Sequence, residues 1–371
     1  MALITYVSRV QFDPGAIALL PGELTLLSVT KPLLVSDPGV VAAGLVDRAQ
    51  EALAKAAPVY GDTPSNPTEA AALDALAIYR AHECDGVVAV GGGSSIDLAK
   101  AVALLATHPG QLADYTMAGG GSNRIGPIAP VIAVPTTAGT GAEVGRAASL
   151  TLIDGGKAAC VSPRLIPRVA ICDPDLTLSL PPRQTASTGM DALSHGIEAF
   201  CSPRVNPPAD AIALDCVARA ATWLPRAFAH GGDREARWHM AMAAVEGGMV
   251  FQKGLGAVHA ASHPLGALGH HHGELNAILL PPVLRHNRAL APDKLARLNE
   301  VIGIGDQDDL ADWTETLVQH LDLPTRLAEL GVTESDVEAA AEQAVGEHLN
   351  QTNPRPLNAA EYRDVLHKAL I

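Results

Sequence analysis

The chain has 371 residues with 26 Lys and Arg against 40 Asp and Glu, a formal net charge of −14. Binding to a phosphate backbone needs a basic face, so this balance argues against nucleic acid as a main partner. Hydrophobic residues make up 48% and aromatics only 3%, a globular composition of about two domains whose cores must be built from Ala, Val, Leu and Ile.

In chain order, Met1 to Gly15 lacks the basic stretch and apolar run of a signal peptide. Pro32–Ser36 reads as a buried strand ending at Asp37, and Leu45–Lys55 as a helix. Gly86–Val90 is a second buried strand running straight into Gly91-Gly92-Gly93-Ser94-Ser95, with a helix expected over Ile96–Thr107. Pro130–Val134 is a third strand, followed by Pro135-Thr136-Thr137-Ala138-Gly139-Thr140-Gly141. Alternating β and α elements predict a parallel sheet with crossover helices. The texture changes near Asp173-Pro174. Beyond Leu180-Pro181-Pro182 the pattern is Ala-rich and helical over Arg183–Cys201, Pro208–Ala229, Arg234–Phe251 and onward, with loops at Pro203–Pro208 and His230–Asp233. The expected division is an α/β domain over 1–178 and an all-helical domain over 179–371. No run of about 18 apolar residues is present, so no membrane span is expected. The five cysteines form no C-x-x-C pair, which reads as structural thiols in a reducing, cytoplasmic compartment.

Three features carry chemistry. The glycine-rich turn at 91–95 joins a strand to a helix, where backbone can approach a pyrophosphate and helix amides receive its charge; taken alone it is equally a tight turn. Asp37 closes a strand, where a carboxylate binds ribose hydroxyls and repels a 2′-phosphate, favouring NAD over NADP; a helix N-cap is the competing reading. In the helical half, Asp191 and His195 stand four residues apart, on one face of a helix. His259 and His263 repeat the spacing, and His270, His271 and His272 follow, so five histidines fall within fourteen residues. One carboxylate with several imidazoles suits Zn²⁺ or Fe²⁺ rather than Mg²⁺ or Ca²⁺. A single Asp/His pair would more often be a surface or capping pair.

These residues lie within longer matches. The segments G-G-G-S-S-I-D at 91–97, P-T-T-A-G-T-G-A-E-V at 135–144, D-P-D-L-T-L-S-L-P at 173–181, G-M-D-A-L-S-H-G-I-E-A at 189–199, G-L-G-A-V-H-A-A-S-H-P-L-G at 254–266 and H-G-E-L-N-A-I-L-L-P at 272–281 resemble the iron-activated (group III) alcohol dehydrogenases, in order and over most of the chain. The resemblance implies an α/β, Rossmann-like parallel-sheet domain followed by an all-α domain, an architecture shared with dehydroquinate synthase, with the active site in the cleft between them. It implies NAD(H), one divalent metal (Fe²⁺ or Zn²⁺), a small alcohol, aldehyde or keto-acid substrate, and a homodimer. Carried over residue by residue, the metal ligands are Asp191, His195, His259 and His272, and His263 relays a proton. The expected cofactor contacts are Asp37, Gly92, Gly93, Ser94, Ser95, Asp97, Thr136, Thr137, Thr140 and Lys157.

Three departures bear on the site. The segment from His263 to His272 is one residue short, and His-His-Gly replaces Pro-His-Gly, so His271 or His270 competes with His272 as ligand. Lys253 stands where a small residue is usual, as a candidate anchor for a substrate carboxylate. The opening I-T-Y-V-S-R-V-Q-F at 4–12 and N-P-R-P at 353–356 resemble the maleylacetate reductase branch, which commonly carries Asn in place of Asp191. Two rival classes are a dehydroquinate-synthase-type lyase and a non-catalytic NAD or metal sensor.

Overall fold

The computed structural model describes residues 8–117, 119–305 and 309–371; residues 4–7 of the opening motif lie outside them. The chain forms two compact units, one holding residues 8–137 with Gly141–Ser179, the other Ala138–Thr140 with Leu180–Ile371.

The first unit is built on six parallel strands, β1 (Val10–Phe12), β2 (Pro32–Val35), β3 (Val59–Tyr60), β4 (Gly86–Gly91), β5 (Val131–Pro135) and β8 (Val169–Cys172), in the order β1-β8-β5-β4-β2-β3. The central strands read as unbroken apolar runs, and β2, β4, β5 and β8 are buried along their whole length, as expected for a parallel sheet covered on both faces. Helices α1 (Leu20–Leu26), α2 (Pro38–Ala42), α3 (Leu45–Glu51), α4 (Glu69–Ala81) and α5 (Gly93–Leu105) belong to this unit. From β2 the chain goes outward to β3 and then returns to the other side of β2 as β4. The carboxyl ends of β2 and β4 therefore flank a topological switch point, where open α/β sheets bind ligands. A separate antiparallel pair, β6 (Ala147–Thr151) and β7 (Lys157–Val161), turns through Asp154-Gly155-Gly156.

The three strands and the helix after β4 that the sequence marks are present. Of the strands it does not mark, β1 and β3 are short and β6 and β7 are poor in β-branched residues (Ala-Ala-Ser-Leu-Thr, Lys-Ala-Ala-Cys-Val), while β8 (Val-Ala-Ile-Cys) is a four-residue apolar run that the sequence reading passes over. Helix α5 begins at Gly93 rather than Ile96, so the Gly-Ser run expected as a turn supplies the first helical amides.

The described residues of the second unit are helical: α6 (Pro182–Cys201), α7 (Pro207–Ala229), α8 (Arg234–Val250), α9 (Ala257–Ala267), α10 (His272–Asn287), α11 (Pro292–Ile302), α12 (Leu310–His320), α13 (Glu334–Gly346) and α14 (Ala359–Leu370). The starts are written in the sequence. Asn206 and Asp233 accept the amides of Ala209 and Ala236 as N-caps, and Thr333 and Asn358 open capping boxes with Asp336 and Glu361, satisfying amides that have no partner inside the helix. The core between these helices is mostly Ala, Leu and Val, which lets the axes approach closely.

Candidate metal and nucleotide sites

In the helical unit, α6 carries Asp191 and His195 one turn apart, α9 carries His259, and α10 opens on His272. Gly273 allows the last approach: a Cβ there would lie 2.3 Å from the Ser187 carbonyl oxygen of α6. One carboxylate oxygen, Asp191 Oδ1, lies 3.3 Å from His195 Nε2 and 3.6 Å from both His259 Nε2 and His272 Nε2. Ligand atoms of a tetrahedral ion with bonds of about 2.0–2.2 Å stand about 3.3–3.6 Å apart. Asp191, His195 and His259 are buried, and the group Asp191, His195 and His259 has the compactness of a metal site. The His195 and His259 rings are stacked, with centroids 4.6 Å apart.

The electrostatics call for a cation. Burial would raise the Asp191 carboxyl, but the His195, His259 and His272 imidazoles outweigh it and hold it far below the usual carboxylate range. Burial lowers His195 to about 4, so that ring stays neutral. Burial acts in the same sense on His259, but Asp191 and Glu198 overcome it and raise the ring to about 9. The amide of Asn276 adds a probe of the same point, its Nδ2 lying 2.8 Å from Asp191 Oδ1, 3.2 Å from His259 Nε2 and 3.1 Å from His272 Nε2. A carboxylate oxygen and two imidazole nitrogens converging on one electropositive group are the kind of ligand set that holds a divalent ion.

Of the competing histidines, His271 is exposed at the N-cap of α10 and His270 is half-buried, while His272 is the one whose Nε2 faces Asp191. His263 is part-exposed, its Nδ1 lying 3.3 Å from Glu347 Oε2. Lys253 plays a different part from the one expected. Its buried ammonium donates to the Phe200 carbonyl at 2.9 Å and pairs with Asp210. There it caps the carboxyl end of α6 together with Lys294, which leaves it poorly suited to anchor a substrate. Sequence reasoning missed Glu198, Asn276 and Glu347. Glu198 was readable, because 191, 195 and 198 fall on one stripe of a helix.

In the α/β unit, Asp37 accepts from Val40 N at 3.1 Å as N-cap of α2 and from Ser95 Oγ at 3.2 Å. The capping role and the position at the switch point are thus combined in one carboxylate. The N-cap of α5 is Gly92, which has no side chain to receive the first amides, so this N-terminus suits a pyrophosphate. Ser94 donates to the Ser65 carbonyl at 2.6 Å, and Thr136 N to Gly91 O at 3.1 Å. Asp97 faces elsewhere: it accepts from Ser149 N at 3.0 Å and pairs with buried Lys100, fastening β6 to α5. Burial raises the Asp97 carboxyl, and Lys157, which opens β7, is among the groups that partly offset this. Thr137 closes this unit's segment, whereas Thr140 belongs with the helical unit.

A buried carboxylate–imidazole centre in a helical unit and an uncapped helix start at the switch point of a parallel sheet mark a protein built to bind a metal ion and a nucleotide. Residues 8–174 match the family described as iron-containing alcohol dehydrogenase, and residues 185–370 its C-terminal family. A 4-hydroxybutyrate dehydrogenase of Cupriavidus necator is 48% identical over the whole of both chains. A crystal structure of a 1,3-propanediol oxidoreductase superposes with a TM-score of 0.93 at 35% identity, covering 100% of each chain. The sulfoacetaldehyde reductase of Bifidobacterium kashiwanohense, solved with NAD⁺, superposes at 0.89 with 31% identity, covering 100% of this chain and 99% of that one. The chain belongs to the iron-containing alcohol dehydrogenase family. It is an NAD(H)-linked, metal-dependent enzyme interconverting an alcohol with an aldehyde or ketone. Among the described residues no helix is long and apolar enough to cross a membrane.

Proposed function

We propose that this enzyme acts on a short terminal alcohol bearing a carboxylate, of the 4-hydroxybutyrate type, and on the matching aldehyde. The observation that carries the chemistry is the placement of Asp191 Oδ1 within 3.3–3.6 Å of three imidazole nitrogens. The substrate class is supported by the 48% identity to a 4-hydroxybutyrate dehydrogenase and by likeness to a reductase of another anionic aldehyde.

In this reading Asp191, His195, His259 and His272 hold one Fe²⁺ or Zn²⁺, a Lewis acid that lowers the pKa of a substrate hydroxyl or polarises a carbonyl. The protein's own residues do the rest. The α5 amides at Gly93, Ser94 and Ser95 receive the pyrophosphate, and Asp37 takes the ribose hydroxyls and disfavours a 2′-phosphate. Thr136, Thr137, Thr140 and Lys157 complete the cofactor contacts. His263, backed by Glu347, would accept the proton released when the alcohol is oxidised, and a bound nicotinamide would supply the hydride acceptor. The working form is a cytoplasmic homodimer. The five buried, free cysteines suit a reducing compartment, and light scattering should give twice the 38.3 kDa chain.

The test is NADH oxidation with 4-oxobutanoate and with butanal, using protein stripped by EDTA and reloaded with Fe²⁺ or Zn²⁺. Reloading should restore turnover, and kcat/KM should be at least about 10-fold higher for the carboxylated aldehyde. Equal values for the two aldehydes overturn the substrate class. Full turnover after stripping overturns the metal reading.

A further inference from the structure

Glu198 lies one turn beyond His195 on α6 and is 5% exposed. Its Oε2 is 2.6 Å from His259 Nδ1 and its Oε1 accepts from Val258 N at 2.7 Å, with His259 N at 3.4 Å from Oε2. The preceding amide, Ala257 N, donates to Asn353 Oδ1 at 3.2 Å. The N-cap of α9 is Gly256, so the first amides of this helix are received by two side chains from elsewhere in the unit. A Cβ at Gly256 would lie 2.7 Å from Glu198 Oε1 and 2.9 Å from Asn353 Oδ1, so any larger residue would push these two acceptors from their places.

The amide of Asn353 can adopt one orientation. Its Nδ2 faces the Arg355 carbonyl at 2.8 Å, a pure acceptor, and Asn287 Oδ1 at 2.9 Å, while Asn287 Nδ2 returns to Asn353 Oδ1 at 3.0 Å. The N-P-R-P segment thereby fixes an acceptor over the start of α9.

We propose that Glu198 is a positioning residue that decides which nitrogen His259 offers to the metal, with Asn353 holding the start of α9 against the same carboxylate. The inference rests on His259 being a ligand. A carboxylate facing Nδ1 accepts only, so Nδ1 carries the hydrogen and the lone pair falls on Nε2. Nε2 is the atom directed at Asp191. The carboxylate also makes the imidazole a better electron donor. Because Oε1 is tied to the backbone of the same helix turn, the carboxylate is held in place against the ring, and a rotated ring forfeits its Nδ1 hydrogen bond.

The decisive variant is Glu198→Gln, which keeps the shape but removes the obligatory acceptor. Zn²⁺ affinity, measured by competition with a chelator, should weaken about 10–100-fold, and the visible bands of the Co²⁺-loaded protein should shift. Asn353→Ala should weaken Zn²⁺ binding as well, without changing the tautomer. Imidazole ¹⁵N NMR of the Zn²⁺-loaded wild type supplies a measurement that no folding defect can cloud, and His259 should show a protonated Nδ1. An unprotonated Nδ1 overturns the proposal, as does a Glu198→Gln protein that keeps wild-type affinity while His259→Ala loses the metal. A wild type that takes up no Zn²⁺ removes instead the ligand reading beneath it.

Discussion

At the scale of single residues, charge explains the site better than shape does. The sequence shows one carboxylate among imidazoles, whereas the structure buries a second, Glu198, against His259. With a metal bound the imidazoles are neutral and the pair leaves two negative charges, which one divalent cation balances; without it the compensation falls to His259, whose ring the same two carboxylates raise to about 9. His263 differs from its neighbours in being part-exposed and backed by Glu347. A His263→Ala variant is therefore expected to keep its metal, read by elemental analysis, while kcat falls about 10²- to 10³-fold. Loss of the metal in that variant would make His263 a ligand instead. Lys253 is buried because its ammonium meets carbonyls at the end of α6, where positive charge is favoured. Replacing it with Met should cost about 1–3 kcal/mol, seen as a lower Tm, and should change KM equally for carboxylated and plain aldehydes. A rise confined to the carboxylated substrate would restore the anchoring role read from sequence.

At the scale of elements, α6 is the main organiser. It supplies Asp191, His195 and Glu198 from one stripe, and its far end is held by two lysines. The i, i+4 spacing of the first two was legible because periodicity is local information. The roles of Asn276, Asn353 and Glu347 were not, because each depends on which distant helix packs alongside, and no spacing encodes that. The same limit hid the role of Asp97, which in sequence belongs to the glycine-rich motif but in space fastens β6. Helix α8 offers a pH test away from the metal centre. Burial and the neighbouring Asp215 carboxylate push Glu246 up to about 9 despite Arg219 at 3.3 Å. Its folded pKa lies above its unfolded one, so its contribution is full below about 4.5 and is lost as pH rises toward 9. The Tm of wild type should therefore fall relative to that of Glu246→Gln between pH 5 and 9. Parallel profiles would show that Glu246 is ionised in the native state.

At the scale of the whole molecule, the fold class and family were readable from ordered motifs, each of which marks a strand end or a helix stripe. The strand order, which makes the ends of β2 and β4 a switch point, was not, since it rests on non-local pairing. An ion bound by residues of α6, α9 and α10 ties together helices far apart in sequence, and it binds the native state only. EDTA should therefore lower the Tm by several degrees and readdition of Zn²⁺ restore it, since saturation at about 1,000 times Kd is worth about 4 kcal/mol. A melting curve indifferent to both treatments would argue that no structural ion is held.

The short strap Ala138–Thr140, which belongs with the helices although it is threaded through the α/β half of the chain, bears on how such a protein can be cut. Gly139 presses so tightly on Thr188 that a Cβ would sit 2.6 Å from the threonine's own Cβ. A gene fragment begun at Leu180 would encode the helices without this tripeptide and leave that contact on α6 bare. A recombination joint placed at the apparent border between halves would separate the strap from the helices it is grouped with.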